Sequence, residues 1–190
     1  MRNVTLRSWL SWAYGVQDFQ VIGLDLRERY DITAKAASPA TTSELRAMLG
    51  ALLAERFKLA FHRESKSLSA YALTVTKRGA KLRESKEEGP GILEPGAARL
   101  TAQHASMAEF AGRLAVGLRM PVIDKTGLPG RYDFTLDLMP YFPETKGPDV
   151  DFAGMIIAAL PDQLGLTLES RKEPIEILIV DHVEKNPSEN

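Results

Sequence analysis

The chain contains no cysteine, which excludes disulfides, thiolate metal centres and a cysteine nucleophile. It has no excess of either charge: 24 Lys and Arg stand against 25 Asp and Glu, for a formal net charge of −1. Nucleic-acid binding draws on clustered basic residues, so this balance argues against it. No apolar run approaches the ~20 residues with which a helix spans a bilayer, and no transmembrane segment is expected. The motifs of common enzyme classes are missing as well. There is no Gly-x-Ser-x-Gly elbow, no Gly-rich phosphate loop and no Gly-x-Gly-x-x-Gly. The three histidines, His62, His104 and His182, are far apart and show no metalloprotease spacing. Met1 to Thr5 runs straight into an amphipathic pattern, without the apolar stretch and small-residue cleavage site of a secretory signal.

What is present is ordinary globular material. The 190 residues are 44% apolar and 26% charged, enough for one domain or two small ones with a useful core. The sequence repeats weakly on itself. Arg29-Tyr30-Asp31-Ile32-Thr33 recurs as Arg131-Tyr132-Asp133-Phe134-Thr135. Leu6, Trp9, Leu10 and Ala13 match Met107, Phe110, Ala111 and Leu114. Val21-Ile22 matches Val122-Ile123. Met48 matches Met155, and Leu68, Ala70 and Ala72 match Ile175, Ile177 and Ile179. The order is colinear, as a duplication requires.

Each half reads helix, strand, strand, helix, strand, strand. Thr5 caps a first helix that Gly15 stops. Its counterpart opens on the capping box Ser106-Met107-Ala108-Glu109. A second helix opens on Thr41-Thr42-Ser43-Glu44 and runs to about Arg56. Its counterpart takes Asp149 or Asp151 as cap and ends near Leu164-Gly165, with Pro161 bending or ending its last turn. The expected fold is α+β: two similar half-domains, each with about two helices on a small, mainly antiparallel sheet. The boundaries are 1–78 for the first half, 79–98 for a Pro/Gly/charged linker, 99–185 for the second half and 186–190 for a polar tail. Residues 1–80 carry a net +5 and residues 99–190 a net −5, so opposite halves offer a route to self-association.

The chemistry-bearing candidates are few. Asp133, His182 and His104 are the candidate catalytic residues of a small hydrolase. Asp124, Asp133, Asp137, Asp149 and Asp151 lie in one loop-rich region, and hard cations such as Ca²⁺ want several carboxylate oxygens together. A cation there would polarise an ester or lactone carbonyl. The simpler reading makes these residues turn formers and helix caps. Asp124-Lys125-Thr126-Gly127 looks like a phosphorylated-aspartate motif, but a turn between two strands accounts for it. The repeated Arg-Tyr-Asp places a tyrosine in each core and an Arg/Asp pair on each surface.

One resemblance covers almost the whole chain. Arg29-Tyr30-Asp31-Ile32-Thr33-Ala34-Lys35-Ala36, Leu52 to Leu59, Pro121 to Leu128, Gly130 to Leu136 and Asp181 to Lys185 resemble a family abundant in acidobacteria and other soil bacteria, catalogued as a domain of unknown function. The resemblance implies a secreted or periplasmic, envelope-associated setting, and a further strand ahead of the first helix in other members. It brings no catalytic residues with it. The expected function is an extracytoplasmic binding or interaction module for a protein, cell-wall or small-molecule ligand. The alternative is the small, Ca²⁺-assisted hydrolase of esters or lactones.

Overall fold

Helix starts and stops are set locally, and they fix the frame of the structure. In the computed structural model, which describes residues 3–23, 27–33, 36, 38–143 and 150–187, α1 (Leu6–Tyr14) follows the two-residue strand β1 (Val4–Thr5). The Thr5 hydroxyl accepts the Ser8 amide, and Gly15 closes the helix in the left-handed conformation at φ 66°. Capping boxes open α2 (Thr42–Arg56) at Thr41/Glu44 and α3 (Met107–Leu118) at Ser106/Glu109. Asp151 caps α4 (Phe152–Ala159) through the Gly154 amide. Beyond Ala159 the chain widens into a π turn, Leu160–Leu164, that contains Pro161 and stops at left-handed Gly165. A proline lacks the N–H of a regular helix turn, and a wider turn absorbs that loss.

The strands are β2 (Val21–Gly23), β3 (Arg29–Tyr30), β4 (Ala60–Val75), β5 (Arg83–Glu84), β6 (Ile92–Pro95), β7 (Arg99–Ser106), β8 (Val122–Asp124), β9 (Arg131–Asp137) and β10 (Leu166–His182). The class is α+β, with sheets that are mainly antiparallel and one that is mixed. β2 runs parallel to β10, with Val21 opposite Leu178, and β8 runs parallel to β4, with Val122 opposite Tyr71. The antiparallel sheet has the order β5-β9-β7-β6. Two differences from the sequence reading concern polar segments. Each pair of strands expected at the end of a half is one continuous strand, because Arg63–Ser67 and Glu169–Glu173 carry no glycine, proline, asparagine or aspartate and stay extended. The stretch 79–98, expected as a linker, instead supplies both edge strands of the antiparallel sheet. β5 pairs with β9 and β6 with β7, a position where charged residues and Pro95 cost little because one side of the strand needs no partner.

The chain divides into two compact units, Met1–Ser67 with Pro174–Asn190, and Leu68–Glu173. In the first unit, Leu6, Trp9 and Leu10 of α1 and Leu49 and Leu53 of α2 share a core with Val21, Phe57, Leu59, Leu178 and Val180. The Arg7 guanidinium donates to the Val21 carbonyl at 2.7 Å and ties α1 to β2. In the second unit, Phe110 and Leu114 of α3 are buried with Ala102, Leu136, Met155, Leu160 and Leu166. Phe110 meets Phe134 edge to face at 4.8 Å.

Two glycines of this second unit differ in a way that can be measured. Gly165 has φ +64°, and a Cβ there would lie 2.1 Å from the Gly79 carbonyl oxygen. The neighbouring backbone is fixed by bonds from the Thr76 amide to the Gly165 carbonyl and from the Lys81 amide to the Leu164 carbonyl. Gly127 has φ +68° with open space around it. Gly165→Ala is expected to lower stability by at least about 2 kcal/mol and Gly127→Ala by about 1 kcal/mol. Thermal melts check this, and equal losses would contradict the close approach at Gly165.

Candidate functional site

The bulge in β7 is the most constrained backbone near a candidate residue. The β7/β9 register shifts between Ala102 and Ala105, and His104 within it adopts φ 49°. The Asp133 carboxylate accepts the His104 amide at 2.8 Å and the Ser85 hydroxyl. From the other side, Arg131 donates to the His104 carbonyl at 2.7 Å and pairs with Glu109 at 3.2 Å. These donors hold the Asp133 carboxyl below the usual carboxylate range, the His104 amide bond foremost. Glu109 is held low chiefly by the Ser106 amide. His104 and Asp133 therefore do meet, but through the backbone amide. The carboxylate pins a bulge and does not orient the imidazole, whose buried Nδ1 has no hydrogen-bond partner among the described residues.

The remaining candidates are dispersed. His182 is exposed at the end of β10. Asp124 accepts the Thr126 amide and hydroxyl at 2.9 and 2.7 Å, closing a turn. Asp137 pairs with Arg99 at 2.6 Å and accepts the Met139 amide. Asp151 is the α4 cap, and Asp149 lies outside the described residues. Among the described residues no three His, Asp or Glu side chains gather as a metal site. One pair escaped the sequence reading: His62 Nδ1 lies 2.9 Å from Asp181 Oδ1, both about half exposed. Only the register between β4 and β10 brings them together, so no local signal marks them. No hydroxyl among the described residues bonds to the other ring nitrogen of His62.

The concave surfaces lie elsewhere, in each unit against its pair of helices. In the second unit a cavity of about 150 Å³ opens between α3 and α4 and reaches the β6–β7 turn. Leu114, Leu136, Leu138, Phe152 and Ile156 line it, with Arg113 at its edge. Phe152 is 44% exposed, and Val116 and Ile157 on the same two helices are exposed as well. In the first unit a cleft of about 540 Å³ lies between α1 and α2. Its wall is Ala47, Gly50, Ala51 and Ala54, and its polar groups are Tyr14, Ser43, Arg46 and Arg63. Burial pushes the Tyr14 phenol up, against the opposing effect of Arg63, so the hydroxyl stays protonated and can donate. For the first-unit cleft the sequence offered no signal, because the exposed apolar residues of α2, Leu45 and Met48, do not line it. For the second-unit cavity, Phe152 at the start of α4 gave no local sign that it would stay exposed.

A family model described as Protein of unknown function (DUF3738) matches residues 7–183, and the chain belongs to that family. No curated protein and no solved structure matches it.

The Asp133 contact sets a pH dependence. A carboxyl whose folded pKa is depressed adds stability that is present above its unfolded value, near 4, and lost as pH falls through the folded value. Asp133→Asn is expected to melt lower than wild type at pH 7, with the difference shrinking below about pH 4. Melts at pH 7 and pH 3 check it, and an undiminished gap at pH 3 would assign the effect to something other than the charge.

Proposed function

We propose that the protein is a binding module, and that the cavity between α3 and α4 seats an apolar group of its ligand. The carrying observation is that this cavity is lined by buried leucines and by Ile156 while Phe152 stays exposed at its edge. Ligand pockets are concave and mostly apolar, with few polar groups, and this one has Arg113 alone among unpaired charges. An open apolar concavity of about 150 Å³ has room for a benzene-sized group, so the bound part is an aromatic or branched-chain end. The envelope setting rests on the family resemblance alone. The hydrolase alternative rests on His104 and Asp133, whose contact is a backbone restraint.

We also infer a duplication whose last strands are exchanged. Register supports it. Thr5 at the α1 cap pairs with Arg29, and Ser106 at the α3 cap pairs with Arg131. Val21 lies opposite Leu178 and Val122 opposite Tyr71. Leu178 follows Ile175 as Tyr71 follows Leu68, so the repeat matched in the sequence keeps these two positions equivalent. The strand ending the first half falls in the second unit, and the strand ending the second half falls in the first.

Gly117 gives a test that spares the fold. A Cβ there would meet only Ile156 Cδ1, at 3.7 Å, and glycine in a helix is unfavourable by about 1 kcal/mol against ordinary residues. Gly117→Leu is expected to fill the cavity while keeping or raising the melting temperature. With toluene and indole as probes, the Leu136 and Ile156 methyl resonances should shift in wild type and stay still in Gly117→Leu. Shifts that persist in the variant would contradict the assignment.

A further inference from the structure

The first-unit cleft differs from the apolar cavity in its chemistry, and its polar groups have fixed directions. Arg46 lies with its guanidinium carbon 5.8 Å from the Trp12 ring centroid. Its Nη1 reaches to 3.5 Å from where a Gly15 Cβ would stand. A cation–π contact with the indole places the guanidinium here, and the absence of a side chain at Gly15 leaves it room. Arg46 has no ion pair among the described residues. Arg63, across the cleft, pairs with Glu176, so the two guanidiniums have one carboxylate between them and a positive charge is left over. Tyr14 packs edge to face on Phe61 at 4.5 Å, which fixes the ring. Its hydroxyl lies over Gly50, 3.3 Å from the position of a Cβ there, and makes no hydrogen bond among the described residues. Beside these groups and Ser43 the wall carries only alanines and glycines, which leaves room for a body no bulkier than small side chains.

We propose that this cleft binds a carboxylate at the end of a short chain of small residues, with Arg46 taking the carboxylate and the Tyr14 hydroxyl donating to it. An arginine fork matches a carboxylate in a bidentate way, and such charge-assisted bonds are the stronger class. The cleft is several times larger than a carboxylate needs and falls in the range of ligand pockets, so a chain terminus fits it better than a free small acid. This inference stands apart from the α3–α4 cavity, since no residue is shared.

The test uses the full chain and three probes: acetyl-Ala-Ala with a free carboxyl, the same peptide as its C-terminal amide, and acetate. Titration is followed by backbone NMR and calorimetry at low salt. The expected result is that the free-acid peptide shifts the Tyr14, Gly15 and Gly50 resonances and binds at least about tenfold tighter than the amide. Arg46→Gln should weaken the acid by a similar factor and leave the amide unchanged. Tyr14→Phe, which keeps the ring packing, should weaken the acid by several-fold. Equal binding of acid and amide, or undiminished binding by Arg46→Gln with native melting, would overturn the proposal. Acetate binding as tightly as the peptide would overturn the chain-terminus assignment, and a tenfold preference for the peptide supports it.

Discussion

β2 and β8 are three residues long and cannot hold their places alone. They are ordered because each lies parallel to a long strand supplied from far along the chain, Val21–Gly23 against Leu178–Val180 and Val122–Asp124 against Tyr71–Leu73. Parallel pairing needs such a crossover. The first unit feels this most. Its helices come from the first third of the chain, yet Leu178 and Val180 fill its core between Leu10, Val21 and Leu53. Its core is complete only with the C-terminal strand in place, so its contacts are non-local, the condition under which folding slows.

That same arrangement leaves helix pairs free to form clefts. In each unit one side of the helices is spent on the core, and the groove between them faces outward. The second unit lines the groove with Leu114, Leu136 and Ile156, and the first with Tyr14, Arg46 and Arg63. One geometry thus carries two chemistries. The two proposed ligand groups, one apolar and one a carboxylate, are distinguishable by salt dependence, because only the charged contact is screened.

Local rules made much of this legible. The Thr41/Glu44 and Ser106/Glu109 boxes, the Thr5 and Asp151 caps and the Gly15 and Gly165 stops all follow from short-range hydrogen bonding. What stayed hidden depends on pairing between distant segments. Nothing local says that Arg63–Ser67 continues a strand, that Glu84 lies beside Tyr132, or that His62 meets Asp181. The candidate aspartates were visible by type, but their uses were settled by neighbours: a turn at Asp124, a bulge at Asp133, an arginine at Asp137. The clefts were hidden for a related reason. Alanines and a glycine on α2 read as generic helix formers until the chain places Tyr14 and Arg46 beside them. Met48 shows the limit of the repeat, since it is 45% exposed while its counterpart Met155 is buried.

The dependence of the first unit on the C-terminal strand can be tested by native-state hydrogen exchange on full-length Leu178→Ala. Truncating a buried leucine costs about 2–5 kcal/mol, and amides that open together lose protection together. The account predicts that the α1 and α2 amides, Leu10 and Leu53 among them, lose protection along with Leu178–Val180. Protection kept in α1 and α2, with the loss confined to the end of β10, would contradict it.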